Sequence, residues 1–357
     1  MDTNTSDNTR PDIPPEYAPK EGMSLREQFA QYSYNEMEVE AGTAAIMEAA
    51  SEGKDIVFGE THSATAETMK QMTLIAENAP KGHIKAIAVE LNVGMQELFD
   101  PVAIRDMSME DFAMRASQIE YEATMSYAEE MYEAGTISEE QYNYMDEFYS
   151  SKLKQLEALS DYPEAVQHYL RDSMYKPYYE MAKTALDNGI PVYAADADGH
   201  RLVPVFLNHP ETPPDLRTDI EQAHEIMNQG TDDRSDVEYL RDMGVDIDGP
   251  GALLAHRGYA HINGFSYGEA GKTEQSNGMD DVLERSGREV LSVYVGPDSG
   301  DANVAHKRLD VHDPAEIALI VDDTGKVNMF ANPDALSNEG GEDPAITAPS
   351  SLPEMKM

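Results

Sequence analysis

Four apolar stretches of this chain run directly into ionisable residues. Asp55-Ile56-Val57-Phe58-Gly59 leads into Glu60-Thr61-His62, and Ile84 to Val89 ends on Glu90. Ile190 to Ala195 leads into Asp196-Ala197-Asp198-Gly199-His200-Arg201, and Gly251 to Ala255 into His256-Arg257-Gly258-Tyr259-Ala260-His261. One charged residue after a buried strand is an ordinary exit to solvent. Four such exits, three of them with a His, point to acid–base or metal-ligand chemistry. Glu60 and His62 are two apart, so extended backbone puts them on one side. A Glu beside a His orients the ring and raises its basicity. Gly59 permits a tight exit or a close ligand. Glu90, desolvated at a strand end, calls for a cation, and Arg257 or Arg201 could supply it. Of His256 and His261, one faces the site; the position after the Gly258 turn favours His261. Asp196, Asp198 and His200 read more readily as a solvated loop.

These residues meet only if the strands lie parallel in one sheet, because the carboxyl ends of parallel strands share a rim where ligands bind. The pattern supports that arrangement. Short apolar runs are the mark of strands buried on both faces. The stretch 64–78 reads as a helix between the first two, giving a right-handed βαβ unit. The expected fold is α/β: a mostly parallel central sheet flanked by helices, with an acidic helical insertion over about 105–189. A C-terminal β-hairpin is expected from residues 316–321 and 326–330 around Asp322-Asp323-Thr324-Gly325. Ser24-Leu25-Arg26-Glu27 is a capping box, and Ser108 and Ser138 also start helices. Gly135-Thr136 breaks the insertion into a hairpin. A third helix is expected over about 163–188, bent near Pro177, with further helices over about 214–229 and 234–243. Residues 1–22 read as a disordered leader, 23–331 as one domain and 332–357 as a disordered tail.

Composition narrows the chemistry. The 357 residues hold 68 acidic and 26 basic side chains, a formal charge of −42, and neither Cys nor Trp. Disulfides, thiolate nucleophiles, Cys-ligated zinc and iron–sulfur clusters are therefore excluded. The charge argues against binding nucleic acid or anionic membrane. A surface adapted to high salt is one reading of it. No apolar targeting or spanning segment is visible, so a cytoplasmic location is expected. Residues 105–164 alone carry 15 acidic and 4 basic residues, a net −11. Met114, Tyr121, Met125 and Tyr132 recur there at helical spacing. Such a stripe is most often core; as a lid it would suit an apolar ligand.

Two motifs are set aside. Gly264-Phe265-Ser266-Tyr267-Gly268 matches a nucleophile elbow but is followed by a Gly-containing loop sequence rather than a helix. Gly271-Lys272-Thr273 lacks the first Gly of a phosphate loop, since residue 266 is Ser.

The sequence resembles the superfamily that joins erythromycin esterases, ChaN-like haem-binding proteins and the TraB/TIKI group. The likeness rests on Gly59-Glu60-Thr61-His62, the strand-final Glu90, an Arg171-Asp172 pair, and Gly258-Tyr259-Ala260-His261, in that order over about residues 50–265. It implies an active-site set of Glu60, His62, Glu90 and His261, with Arg257 or Arg171 as the accompanying cation. The implied function is a hydrolase in which a His-activated water attacks an ester, lactone or amide. A divalent metal on His62, Glu90 and His261 would be one form of it; haem or apolar-ligand binding without catalysis is the alternative. The partner is then a small-molecule or peptide substrate. The chain has Thr61-His62-Ser63 where esterase-like members show a Ser-His pair followed by Gly, a difference that bears on substrate more than on fold.

Overall fold

The computed structural model describes residues 23–31, 33–61, 64–160, 175–196, 213, 234–258, 278–298, 315–322 and 324–332. Their centre is a mixed sheet of eight strands. In chain order these are β1 (Asn35–Met37), β2 (Asp55–Glu60), β3 (Ile84–Asn92), β4 (Val192–Asp196), β5 (Ala252–Gly258), β6 (Val290–Pro297), β7 (Ile317–Val321) and β8 (Val327–Ala331). In space they run β1-β8-β7-β6-β2-β5-β3-β4. From β7 to β4 every pairing is parallel; β7–β8 and β8–β1 are antiparallel. The α/β class, the parallel centre and the C-terminal hairpin are as the sequence pattern predicts.

The strands are apolar on both sides, and their alternation sorts the side chains onto two faces. Ile56, Phe58, Ile87, Val89, Leu254, Val293 and Leu319 face one layer. That layer comprises α2 (Val39–Glu52), α3 (Thr65–Asn78), a 3-10 helix (Val93–Phe99), α4 (Ala103–Asp106), the start of α5 (Met109–Glu133) and α7 (Tyr175–Asp187). Val57, Ala86, Ala88, Leu253, Ala255 and Tyr294 face the other. There α1 (Leu25–Ala30), α8 (Arg234–Asp242) and α9 (Met279–Arg285) pack. The small alanines of β3 and β5 let this second layer approach closely.

Between β3 and β4 the described chain is helical. Here α5 and α6 (Glu139–Ser160) form a hairpin that turns at Gly135, whose φ of 72° suits glycine. Ser108 caps α5 by accepting from Asp111 N, and Ser138 and Gln141 cap α6 reciprocally. Met125, Tyr127, Met131, Met145 and Tyr149 form this hairpin's own small core. The helix expected over 163–188 is seen from Tyr175, with Pro177, where a bend was expected, in its first described turn; residues 163–174 and the helix expected over 214–229 lie outside the described residues. Four elements were not anticipated: β1, α4, α9 and the 3-10 helix. The Asn35-Glu36-Met37 sequence of β1 has no strand character, and pairing with β8 makes it a strand. Among the described residues no helix is long and apolar enough to cross a membrane.

The N-terminal edge of the sheet is fixed by one ion-pair cluster. Arg288 donates to both oxygens of the fully buried Asp55 and to the carbonyls of Gly53, Gly249 and Gly251. This bidentate fork ties β2, β6 and the start of β5 together at the edge opposite the site. On β6, a Cβ at Gly296 would stand 1.8 Å from the hydroxyl of the fully buried Tyr294. Gly296→Val is therefore expected to lower stability by about 1–3 kcal/mol through overpacking. Urea denaturation measures it, and a midpoint equal to the parent's would refute the crowding.

Candidate functional site

β2 and β5 are parallel neighbours, with Phe58 opposite His256 and Glu60 opposite Gly258. Glu60 and His256 therefore occupy diagonal positions on the same face, that of Phe58 and Leu254. His256 Nε2 stands 3.0 Å from Glu60 Oε1, within ion-pair reach though off the line of a directed hydrogen bond. Both side chains are buried completely.

A carboxylate so placed needs donors, and the helix after β2 supplies them. Thr65 Oγ1 donates to Glu60 Oε1 at 2.5 Å, and Thr68 Oγ1 to Oε2 at 3.1 Å. The two threonines are one turn apart at the start of α3, so both face the strand end. The N-terminus of α3 also favours a nearby negative charge. Donors converging on one carboxylate stabilise its ionised form.

The imidazole is held from the other side. Its Nδ1 accepts the backbone N–H of Glu90 at 3.4 Å, which assigns the ring proton to Nε2, facing Glu60. Tyr178 of α7 meets the ring edge to face, with centroids 5.5 Å apart. The Tyr178 hydroxyl is hydrogen-bonded to Thr65, and burial, Glu60 and Glu120 push it well above the ordinary tyrosine range.

The remaining sequence-derived candidates fall out differently. Glu90 belongs to the face of Ala86 and Ala88, and Arg257 to that of Leu253 and Ala255, by the alternation of β3 and β5. Both are thus at the same rim as Glu60 but on the opposite side of the sheet. A carboxylate beside Arg257 is Asp236 of α8, 3.2 Å from Nη2. Arg257 Nη2 also donates to Ala195 O at 2.9 Å, and Nη1 to His256 O at 3.3 Å. These contacts make the fully buried Arg257 a bracket between β5, β4 and α8. The alternation thus divides the candidates between two layers, because neighbouring positions on a strand face opposite sides of the sheet.

His62 and His261 lie outside the described residues, as do Arg171, Asp198, His200 and Arg201. The strands that precede the two histidines in sequence end side by side, Glu60 against Gly258. Among the described residues no group of three or more His, Asp or Glu could hold a metal ion. Thr65, Thr68 and Tyr178 were missed from the sequence. The threonines had a readable signal: two hydroxyls spaced i, i+3 in the first turn after a strand-final Glu. Tyr178 had none, because it looks like any apolar helix position.

No family model matches the chain, and no curated protein or solved structure matches it.

Proposed function

We propose that the chain is a hydrolase of the erythromycin-esterase/TIKI-like type that its G-E-x-H and G-x-x-H motifs resemble. It acts on an ester, lactone or amide of a small molecule or peptide. The observation that carries this reading is the Glu60–His256 pair: a carboxylate and an imidazole buried side by side where parallel strands end, each held by further partners. Burying such a pair costs stability relative to apolar side chains of similar size.

In this reading His62 takes the proton from the attacking water. Glu60, two residues earlier, is the fixed negative charge that stabilises the imidazolium so formed. Thr65, Thr68 and His256 keep that charge in place. His261 completes the set from the neighbouring strand end, and Glu90, whose side chain faces the other layer, supports it through its backbone N–H on His256. Of the three ligands offered for a divalent ion, His62 and His261 lie outside the described residues; an ion held by the three would activate the attacking water. The haem alternative drew on the Met and Tyr residues of the insertion. Met125, Met131, Met145 and Tyr149 instead pack on one another within the α5–α6 hairpin.

The test replaces His62 by Ala and screens ester, lactone and peptide substrates with and without chelator. Turnover is expected to fall by about 10²–10⁴-fold. Unchanged turnover would remove His62 from the mechanism. Turnover abolished by chelator in the parent would assign the water to an ion. A Soret band on adding haem, lost in a His or Tyr variant, would replace hydrolysis by haem binding.

A further inference from the structure

The insertion helix α5 carries a buried stripe: Phe112, Ala113 and Ala116 pack on the body of the protein, and Ala128 and Met131 pack within the hairpin with α6. One member of that stripe is an acid. Glu120 is only 5% exposed. Its Oε2 accepts the hydroxyl of Tyr175, and its Oε1 is buried with no hydrogen-bond partner among the described residues. A carboxyl group in this position costs stability relative to a leucine. A buried polar atom without a partner calls for an explanation.

The position of Glu120 gives that explanation a chemical content. Tyr175 and Tyr178 are three apart on α7 and so share a face. Tyr178 packs on the Glu60–His256 pair, and Tyr175 holds Glu120. The two tyrosines are one helical turn apart on α7, and the charges of Glu60 and Glu120 both act on the Tyr178 hydroxyl, so the acid and the pair flank the same ring. Among the described residues, the titratable groups that face it are Tyr149 of α6, Tyr175 and Tyr178 of α7, and Asp196 at the end of β4. None is a cation. Burial, helped by the negative charge of Asp196 and opposed by the Tyr175 hydrogen bond, pushes the Glu120 carboxyl up to about 7. Glu60 sits among donors that favour its charge; Glu120 sits where charge is disfavoured. Two carboxyl groups driven apart in this way are the usual pattern of a split between base side and acid side.

We propose that Glu120 is the general acid of the same site, its Oε1 carrying the proton delivered to the leaving group. The proposal rests on the hydrolase reading. The water oxygen bonds to the acyl carbon and gives its proton to His62. The bond from the acyl carbon to the leaving oxygen or nitrogen breaks, and that atom takes the proton of Glu120. The proton on His62 returns to the Glu120 carboxylate through solvent, so one water is consumed per bond broken.

The experiment compares the full chain with its Glu120→Gln variant on two esters of one acid. One is a 4-nitrophenyl ester, whose leaving group departs unaided as the anion. The other is an alkyl ester, whose leaving group must be protonated. Glu120→Gln is expected to lose about 100-fold or more in kcat on the alkyl ester and to stay within a few-fold on the nitrophenyl ester. The alkaline limb of kcat near pH 7 should vanish with it. Tyr175→Phe gives an independent reading. The hydrogen bond it removes lowers the acid's pKa, so the acid stays protonated longer and the limb should move to higher pH. That shift also tests the idea if Glu120→Gln fails to fold. Equal losses on both esters, or an alkaline limb that survives in Glu120→Gln, overturn the assignment while leaving the hydrolase reading standing. No turnover of any ester, lactone or amide by the parent chain overturns both.

Discussion

Glu60→Ala is expected to abolish turnover and to cost the fold about 3–5 kcal/mol. The loss comes from what the carboxylate leaves behind. Thr68 keeps a second acceptor, since its hydroxyl also lies 3.4 Å from Ala64 O, and Thr65 keeps its bond to Tyr178. The Nε2–H of His256 has Glu60 Oε1 as its close carboxylate and is fully buried, so the imidazole bears most of the penalty. Glu60→Gln separates charge from volume. It fills the same space and keeps one oxygen acceptor but turns an NH2 toward a donor. Its cost should be nearer 2 kcal/mol, with turnover still lost if the negative charge is what supports His62. Urea denaturation and substrate turnover on the same samples decide this. Glu60→Gln with full activity would show that the carboxylate is structural and would remove it from the mechanism.

Arg257→Ala should be as damaging to stability, about 3–5 kcal/mol, for a different reason. Arg257 heads the fully buried side chains by size. Its removal leaves Asp236 charged, 6% exposed and without its guanidinium, and strips donors from the carbonyls of Ala195 and His256. Replacing both partners, as in Arg257→Met with Asp236→Leu, removes the charges together and should recover most of the loss. The pair of measurements also decides the role of the residue. A bracket predicts that the double variant recovers activity along with stability. Recovery of stability without activity would return Arg257 to the catalytic set as the oxyanion-stabilising cation. A single variant costing under about 1 kcal/mol would sink the claim that the buried pair matters at all.

Much of the fold was legible because buried parallel strands are written as short apolar runs. Residues 56–58, 86–89 and 253–255 admit few other readings, and Ser24, Ser108 and Ser138 mark helix starts by a local hydrogen-bond rule. Strand order was not legible. Nothing local says that β2 lies between β5 and β6, because that choice is made by packing across the whole molecule. For the site, Glu60 and the neighbourhood of His256 could be read from the strand end. The division of Glu90 and Arg257 from Glu60 could have been read too, since period-2 alternation sorts them once the strand is granted. Glu120 was hidden for a statistical reason. In a segment with net charge −11, one more acid looks like solvated surface, and only its coincidence with the stripe of Phe112, Ala116 and Ala128 sets it apart.

The position of β2 between β5 and β6 has a consequence for how the molecule comes into being. Asp55 accepts from Leu253 N, 198 residues away, and pairs with Arg288, 233 residues away. A nascent chain emerging from the ribosome thus exposes its central apolar strand long before either neighbour has been synthesised. Until then Ile56, Val57 and Phe58 have only helices to lean on. The chain is expected to depend on chaperones, or on its own strong negative charge, to stay dispersed through that wait.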